Sequence, residues 1–311
     1  MKTLHNPVML SEVMAVLQPQ RGEKYLDLTA GYAGHANEIL AVTQNYKNAI
    51  LVDRDDYAME FLKTKYLLGE VFNDAATALT AEAGPKLLNK DFYNAVLQLI
   101  ECGQTFDMIL ADFGVSSPQL DQADRGFSFM KPGPLDMRMD RSQTLSADTI
   151  VNHWPEKKLI EIFEQYGEMS AGSARKVARQ IVHNRPFSDT KELANVIAFG
   201  RRETDKKWRG RHPATQAFQA IRITVNDELS EIEKTLPLLP ELLNPGGRVA
   251  IITFHSLEDR LVKNYFKEVS SLGEESTLKL MTKSPITAGE VELGINPRAH
   301  SAKLRAAKKL L

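Results

Sequence analysis

Residues Phe106–Asp140 read FDMILADFGVSSPQLDQADRGFSFMKPGPLDMRMD, and their start decides the fold. Met108, Ile109 and Leu110 form a short apolar run that stops at Ala111-Asp112, where a carboxylate and Phe113-Gly114 replace the aliphatics. An apolar run bounded by turn residues predicts a strand buried on both faces of a parallel sheet. Ligands of such sheets bind beyond the carboxyl ends of the strands. Asp112 is therefore expected at the rim of a crevice, followed by a loop carrying Ser116, Ser117, Pro118 and Gln119. A strand-end Asp also caps turns and helices, so the stretch needs support from elsewhere.

Tyr25–His35, YLDLTAGYAGH, repeats the arrangement with a strand, a carboxylate at Asp27, and Gly31 and Gly34 across a turn. Ala36, Ile39, Leu40 and Thr43 then fall at helical spacing, and Ala49-Ile50-Leu51-Val52 makes a second strand ending in Asp53. A glycine turn after one strand and an acid at the tip of the next suit a nucleoside held by its ribose hydroxyls. The spacing is not G-x-G-x-x-G, and no Lys or Arg stands at the helix start to match a pyrophosphate. S-adenosylmethionine, an adenosine without phosphate, fits this loop better than a dinucleotide. A plain glycine turn in an α/β core remains open at this point.

Together the two stretches carry a resemblance. The chain resembles the bacterial small-subunit ribosomal RNA methyltransferase H family in HNPVMLSEVM, DLTAGYAGH, LADFGVSSPQLDQADRGFSFMKPGPLDMRMD, HPATQAFQAIRITVNDEL, GGRVAIITFHSLEDR and NPRAHSAKLR, spread from His5 to Arg305. The resemblance implies N4-methylation of a cytidine in 16S rRNA near the decoding centre, with S-adenosyl-L-methionine as cofactor and the small ribosomal subunit as partner. It implies a cofactor site of Ala33, Gly34, His35, Asp53, Ala76, Asp112 and Gln119. Tyr32 and Ala33 stand where a basic residue and a third glycine are common, and Ala76 where a phenylalanine is common.

Asp112 is the candidate catalytic residue. Cytosine's amino lone pair is delocalised into the ring, and an acceptor for its N–H directs that pair and stabilises developing charge. Ring-carbon methylation through a covalent cysteine is disfavoured, because Cys102, the sole cysteine, precedes the fourth strand.

The 311 residues suffice for one large domain or two, with ordinary hydrophobic (43%) and charged (25%) content and a net charge of −1. A uniformly basic nucleic-acid binder is thereby disfavoured. No apolar run approaches the roughly 20 residues of a membrane span, MKTLHNPVML is no signal peptide, and one cysteine excludes an internal disulfide and a cysteine-rich zinc site. The expectation is a cytoplasmic protein without a metal site, with a homodimer left open.

In chain order, the αβ alternation predicts a doubly wound, Rossmann-like class I methyltransferase sheet. A helix is expected within residues 5–20 and another over Tyr57–Leu68. Val71-Phe72 reads as a brief third strand, and Leu79–Glu101 as one or two helices. From about Asp121 the pattern becomes helical without strands. Residues 175–212 hold eleven Lys/Arg against four Asp/Glu, a solvated face or a surface for RNA phosphate. Residues 1–120 and 213–311 are read as the methyltransferase domain, and 121–212 as an inserted helical, RNA-recognition domain. The stripe Ala217, Ile221, Val225, Leu229, Ile232, Leu236 is read as sheet-domain core, and Val249–Phe254 as the fifth strand. Ser256 and Asp259 have near capping-box spacing; His255 is a crevice contact or a structural residue. The tail from Asn296 holds five Lys/Arg and no acid, a second candidate phosphate patch. A nucleotide-dependent oxidoreductase leaves the Asp112 loop unexplained. A non-catalytic RNA-binding or ribosome-assembly protein leaves the cofactor features unexplained.

Overall fold

The computed structural model describes residues 7–68, 70–202, 212–271 and 273–310, the side chains of 200–202 and 274 excepted. Two compact units form, residues 1–114 with 229–311, and residues 115–228.

The first unit is built on a seven-stranded sheet. In chain order its elements are α1 (Leu10–Leu17), β1 (Tyr25–Asp27), α2 (Gly34–Thr43), β2 (Ile50–Asp53), α3 (Asp56–Lys65), α4 (Ala75–Leu79), β3 (Lys86–Asn89), α5 (Phe92–Glu101) and β4 (Phe106–Asp112). The order is β3-β2-β1-β4-β5-β7-β6, where β5 is Leu243–Thr253, β6 Leu278–Leu280 and β7 Lys303–Lys309. Strands β1 to β5 run parallel and β7 antiparallel to both neighbours. The order reverses between β1 and β4, and a crevice opens at such a switch point.

Side-chain alternation explains the layers. Along β4, Met108 and Leu110 enter one core, with Leu51, Ile252 and Leu304 and with Val13, Ile39, Leu40, Met59 and Leu62 of α1, α2 and α3. Ile109 and Ala111 enter the other, with Ile50, Val52 and Ile251 and with Val96 and Leu99 of α5. A strand buried on both faces thus reads as a continuous apolar run. Each fully buried Leu or Ile contributes roughly 1.5–3 kcal/mol.

Four expectations change here. The third strand is Lys86–Asn89, inside the segment expected to be helical, and Phe72 makes only an isolated bridge to Leu88. β3 is an edge strand with β2 as partner, so two consecutive leucines suffice. The fifth strand starts six residues early, with a register irregularity between Phe106 and Met108 that absorbs Asn244–Gly247. Gly247 is needed there, since a Cβ would lie 2.9 Å from the Asn244 carbonyl oxygen and 3.0 Å from that of Phe106. The basic tail is a sheet strand, with Arg305 buried and its Nε donating to Asp259 at 2.7 Å. Finally, Ser256 and Asp259 do not form the capping box. His255 and Glu258 form it at the start of α12 (Ser256–Ser270), leaving Asp259 to Arg305 and Lys303. The remaining helices near this unit's C-terminal half are α11 (Glu228–Thr235) and α13 (Glu290–Ile295).

The second unit packs α6 (Ser117–Asp121), α7 (Glu156–Gln165), α8 (Ala171–His183), α9 (Thr190–Arg202) and α10 (Thr215–Asn226). Leu159, Phe163, Val177, Ile181, Leu193, Ile197, Phe218 and Ile221 meet in its core. The stripe expected to belong wholly to the sheet domain therefore divides. Ala217, Ile221 and Val225 enter the helical core, whereas Ile232 and Leu236 enter the sheet core. The two units meet at residues 115 and 228, and α10 packs on α7 within the helical one.

Candidate active site

The ends of β2, β1 and β4 bring Asp53, Asp27 and Asp112 to one edge, in a register that aligns Asp27 with Leu51 and Leu110. The chain leaving β1 threads between these ends. Leu28 N donates to Leu110 O at 2.9 Å, Ala30 N to Val52 O at 2.8 Å, and Asp112 N to Thr29 Oγ1 at 2.6 Å. Asp53 then holds the glycine turn, its Oδ2 accepting from Gly31 N at 2.8 Å and its Oδ1 from Asp55 N at 2.9 Å. Gly31 adopts a φ of +49°.

Ala33, also buried, takes φ 60° and ψ 32° at the N-cap of α2. The left-handed region costs a non-glycine residue about 1–2 kcal/mol. Gly34 cannot carry a Cβ easily, since that atom would lie 3.0 Å from Pro7 Cβ. Tyr32 packs against Phe61, with ring centroids 5.1 Å apart and planes tilted by 54°. Ala76 is exposed near the start of α4, whose N-cap is Asp74.

His35 follows Gly34 and is buried. Its Nε2 lies 2.9 Å from the Val8 carbonyl oxygen, and its Nδ1 lies 3.8 Å from Asp112 Oδ2. The other carboxylate oxygen of Asp112, Oδ1, is buried and accepts no hydrogen bond among the described residues. Burial raises all three acids. It lifts Asp27 to about 7, with Asp53 adding to the rise and hydrogen bonds from Tyr25 and Thr29 opposing it. It lifts Asp53 to about 6, with Asp55 adding. It pushes Asp112 well above the usual carboxylate range, with Asp27 and Glu258 adding. Arg54, adjacent to Asp53, pairs with Glu231.

Gly34, His35, Asp53 and Asp112 thus gather at one edge, with Ala33 beside them. Gln119 lies in the second unit, buried in a capping box with Ser116, its Oε1 accepting from Ser116 N at 2.9 Å. Sequence reasoning missed Thr29 and the place of Asp27 in the acid cluster; the signal was a carboxylate ending an apolar run, as for Asp53. His255 proves to be a helix cap: its Nδ1 accepts from Glu258 N at 3.4 Å, and Glu258 Oε2 accepts from Phe254 N at 2.7 Å.

Much of the long run after Asp112 is architectural. Arg125, fully buried, donates to the carbonyls of Arg138 and Met139, and Asn226 bridges Met139 N and Met137 O at 2.8 Å each. Within the basic segment, Arg185 donates to the Val151 and Trp154 carbonyls, so it is structural, while Arg175 and Arg179 are exposed. The side chains of Arg201 and Arg202, and residues 203–211, lie outside what is described.

The MraW methylase family model matches residues 2–310. The chain belongs to the MraW methylase family. Relatives agree along its length. A protein of Acidobacterium capsulatum named ribosomal RNA small subunit methyltransferase H is 43% identical over 306 residues, covering 98% of both chains. Namesakes from a Synechocystis strain (44% identical, 98% of this chain and 93% of the relative) and Heliobacterium mobile (40%, 98% and 99%) are similar throughout. The family thus makes this chain a methyltransferase, on the seven-stranded sheet described above.

The residues at the strand ends fit S-adenosylmethionine. The loop Thr29–Ala36 contains no Lys or Arg, and the strand tips supply carboxylates. A cationic sulfonium and uncharged ribose hydroxyls suit that edge; paired phosphates do not. The unpartnered Asp112 Oδ1 is an acceptor waiting for a donor. No helix among the described residues is long and apolar enough to cross a membrane.

Proposed function

We propose that this chain transfers a methyl group from S-adenosylmethionine to the exocyclic N4 of a cytidine in 16S ribosomal RNA, with Asp112 as the catalytic acceptor. The observation that carries the reading is the buried, unpartnered Asp112 Oδ1 at the end of β4, at the sheet's switch point. Family membership supplies the reaction class, and the relatives' names supply the RNA. When bound, S-adenosylmethionine supplies the methyl group as an electrophile on a positively charged sulfur. Asp53 accepts from the ribose hydroxyls with the lone pairs left by Gly31 N and Asp55 N. The Gly31–Gly34 turn lets the nucleoside approach backbone, and Ala76 borders it. The resemblance also implies Gln119, on α6, as a cofactor contact.

Asp112 accepts a hydrogen bond from the cytosine amine, turning its lone pair toward the methyl, and then takes the proton that the amine loses. A carboxylate raised by burial has the proton affinity for that step. The helical unit recognises RNA within the small subunit, and the exposed Arg175 and Arg179 of α8 support phosphate contact. The reading places the enzyme in the cytoplasm, where ribosomal subunits are found.

The test is single-turnover methylation of hypomethylated small subunits at saturating cofactor, read as N4-methylcytidine by mass spectrometry. Asp112→Ala is expected to lower the rate on the order of a hundredfold, the loss of one preorganised transition-state contact. Near-wild-type product from folded Asp112→Ala would remove Asp112 from catalysis. No product from the wild type would leave a non-catalytic RNA-binding protein.

A further inference from the structure

The relation of His35 to Asp112 goes beyond cofactor contact. His35 is the second residue of α2, and the chain that crosses it, Pro7-Val8-Met9, lays a backbone carbonyl against its ring. A carbonyl oxygen only accepts, so the Nε2 at 2.9 Å carries a hydrogen whether the ring is neutral or charged. This commitment fixes the other nitrogen. Nδ1 is a bare lone pair in the neutral ring and an N–H in the cation. Nδ1 is also the atom turned to Asp112 Oδ2, at 3.8 Å.

The pair therefore has two ways to hold one proton beyond the Nε2 hydrogen. Either Asp112 is a carboxylic acid beside a neutral ring, or it is a carboxylate beside an imidazolium. The two states differ in use, because an acid has one acceptor oxygen fewer and repels an incoming N–H at the protonated oxygen. Several groups face Asp112. Asp27 and Glu258 push it toward the acid form, the Tyr25 hydroxyl donates to Asp27, and the α2 N-terminus favours the anion while opposing charge on the ring. His35 is the basic side chain that the structure sets against it.

We propose that His35 is a positioning residue that keeps Asp112 an ionised hydrogen-bond acceptor by carrying, on Nδ1, the proton that Asp112 would otherwise hold. The Val8 carbonyl orients the ring for this task, and Oδ1 remains open to the amine. When the amine loses its proton, that proton goes to Asp112 Oδ1 while the Nδ1 proton stays in place. This rests on the reading of Asp112 as the acceptor.

Two measurements test it. In cofactor-free protein, the NMR titration midpoint of the His35 ring is expected to fall by about one pH unit or more in Asp112→Asn, since an opposite charge at this distance moves a pKa by about 1–3 units. An unchanged midpoint would overturn the proposal, and this arm needs no catalysis. In single turnover at saturating cofactor, His35→Gln keeps an N–H for Val8 but has no titratable nitrogen. The acidic limb of its pH–rate profile is expected to move up by about one unit or more, with activity recovering at high pH. A uniform loss with the limb in place is what a merely structural or cofactor-binding histidine gives, and would overturn it. If His35→Gln does not fold, the NMR arm decides alone. Failure of the underlying reading looks different: Asp112→Ala then turns over at the wild-type rate while the His35 midpoint still responds to Asp112→Asn.

Discussion

Replacement of Asp53 by Ala separates cofactor binding from fold maintenance, because the structure assigns this carboxylate both tasks. It accepts from Gly31 N at 2.8 Å and from Asp55 N at 2.9 Å. Its loss leaves two turn amides to find other partners, at about 1 kcal/mol each where water reaches them. Against this, burial has raised Asp53 from 3.8 to about 6. Two pKa units correspond to at most about 3 kcal/mol of penalty on the ionised form, and Ala removes that penalty at pH 8. The two effects are of similar size and opposite sign, so Asp53→Ala should remain folded with a thermal midpoint near that of the wild type. Binding has no such offset. A charge-assisted hydrogen bond to ribose hydroxyls is worth about 1.5–3 kcal/mol, so the dissociation constant for S-adenosylmethionine or S-adenosylhomocysteine should rise about 10- to 150-fold. Turnover at saturating cofactor should suffer far less. Isothermal titration reads the first quantity, single-turnover methylation the second, and Asp53→Asn, which keeps one acceptor oxygen, should fall between. An unchanged dissociation constant in folded Asp53→Ala would refute the assignment of Asp53 to the ribose.

Two further outcomes are expected. Asp27 is raised to about 7 from 3.8, so its ionisation destabilises the folded state. The stabilising contribution is complete below about pH 4 and is lost as pH rises through about 7, worth at most about 4 kcal/mol. Denaturant melts at pH 5 and 8 should show this loss, and Asp27→Asn should flatten it; equal pH dependence in both proteins would contradict it. Replacing Arg201, Arg202, Lys206 and Lys207 by Ala should weaken RNA or subunit binding and flatten its salt dependence without changing cofactor affinity. Equal salt slopes would make that segment a solvated face only.

The sheet was legible where strands are buried on both faces. Tyr25–Asp27, Ile50–Asp53 and Phe106–Asp112 announce themselves as apolar runs ending in a carboxylate, because every apolar side chain there enters one core or the other. Lys86–Asn89 was not legible. As an edge strand it needs two leucines, and its lysine is buried by donating to the Lys47 carbonyl, a contact no local pattern reports. Lys303–Lys309 was misread for a related reason. Its basic residues suggest phosphate, yet Lys303 and Arg305 meet Asp259 and Lys309 donates to the Leu243 carbonyl at 2.7 Å. The charge sum of a segment says nothing about partners supplied 40 or more residues away. His35 shows the same limit at the site: the sequence places it after Gly34, but its ring state depends on the Val8 carbonyl 27 residues earlier.

The choice of cofactor class follows from the charge at the strand ends. Asp27 and Asp53 each raise a neighbour's proton affinity, Asp53 acting on Asp27 and Asp27 on Asp112. Mutual repulsion among buried carboxylates is a cost borne by the free protein. A ligand with two phosphates would increase that cost, and the glycine turn could not offset it, since the Gly31 amide is already given to Asp53. A ligand with one positive charge lowers it, and a neutral ribose leaves it unchanged while offering the hydrogens that carboxylates lack. The same acids that disfavour a dinucleotide therefore favour a sulfonium. Binding such a cation should draw the raised carboxylates back toward ionisation, which leaves Asp112 an acceptor when the target amine arrives.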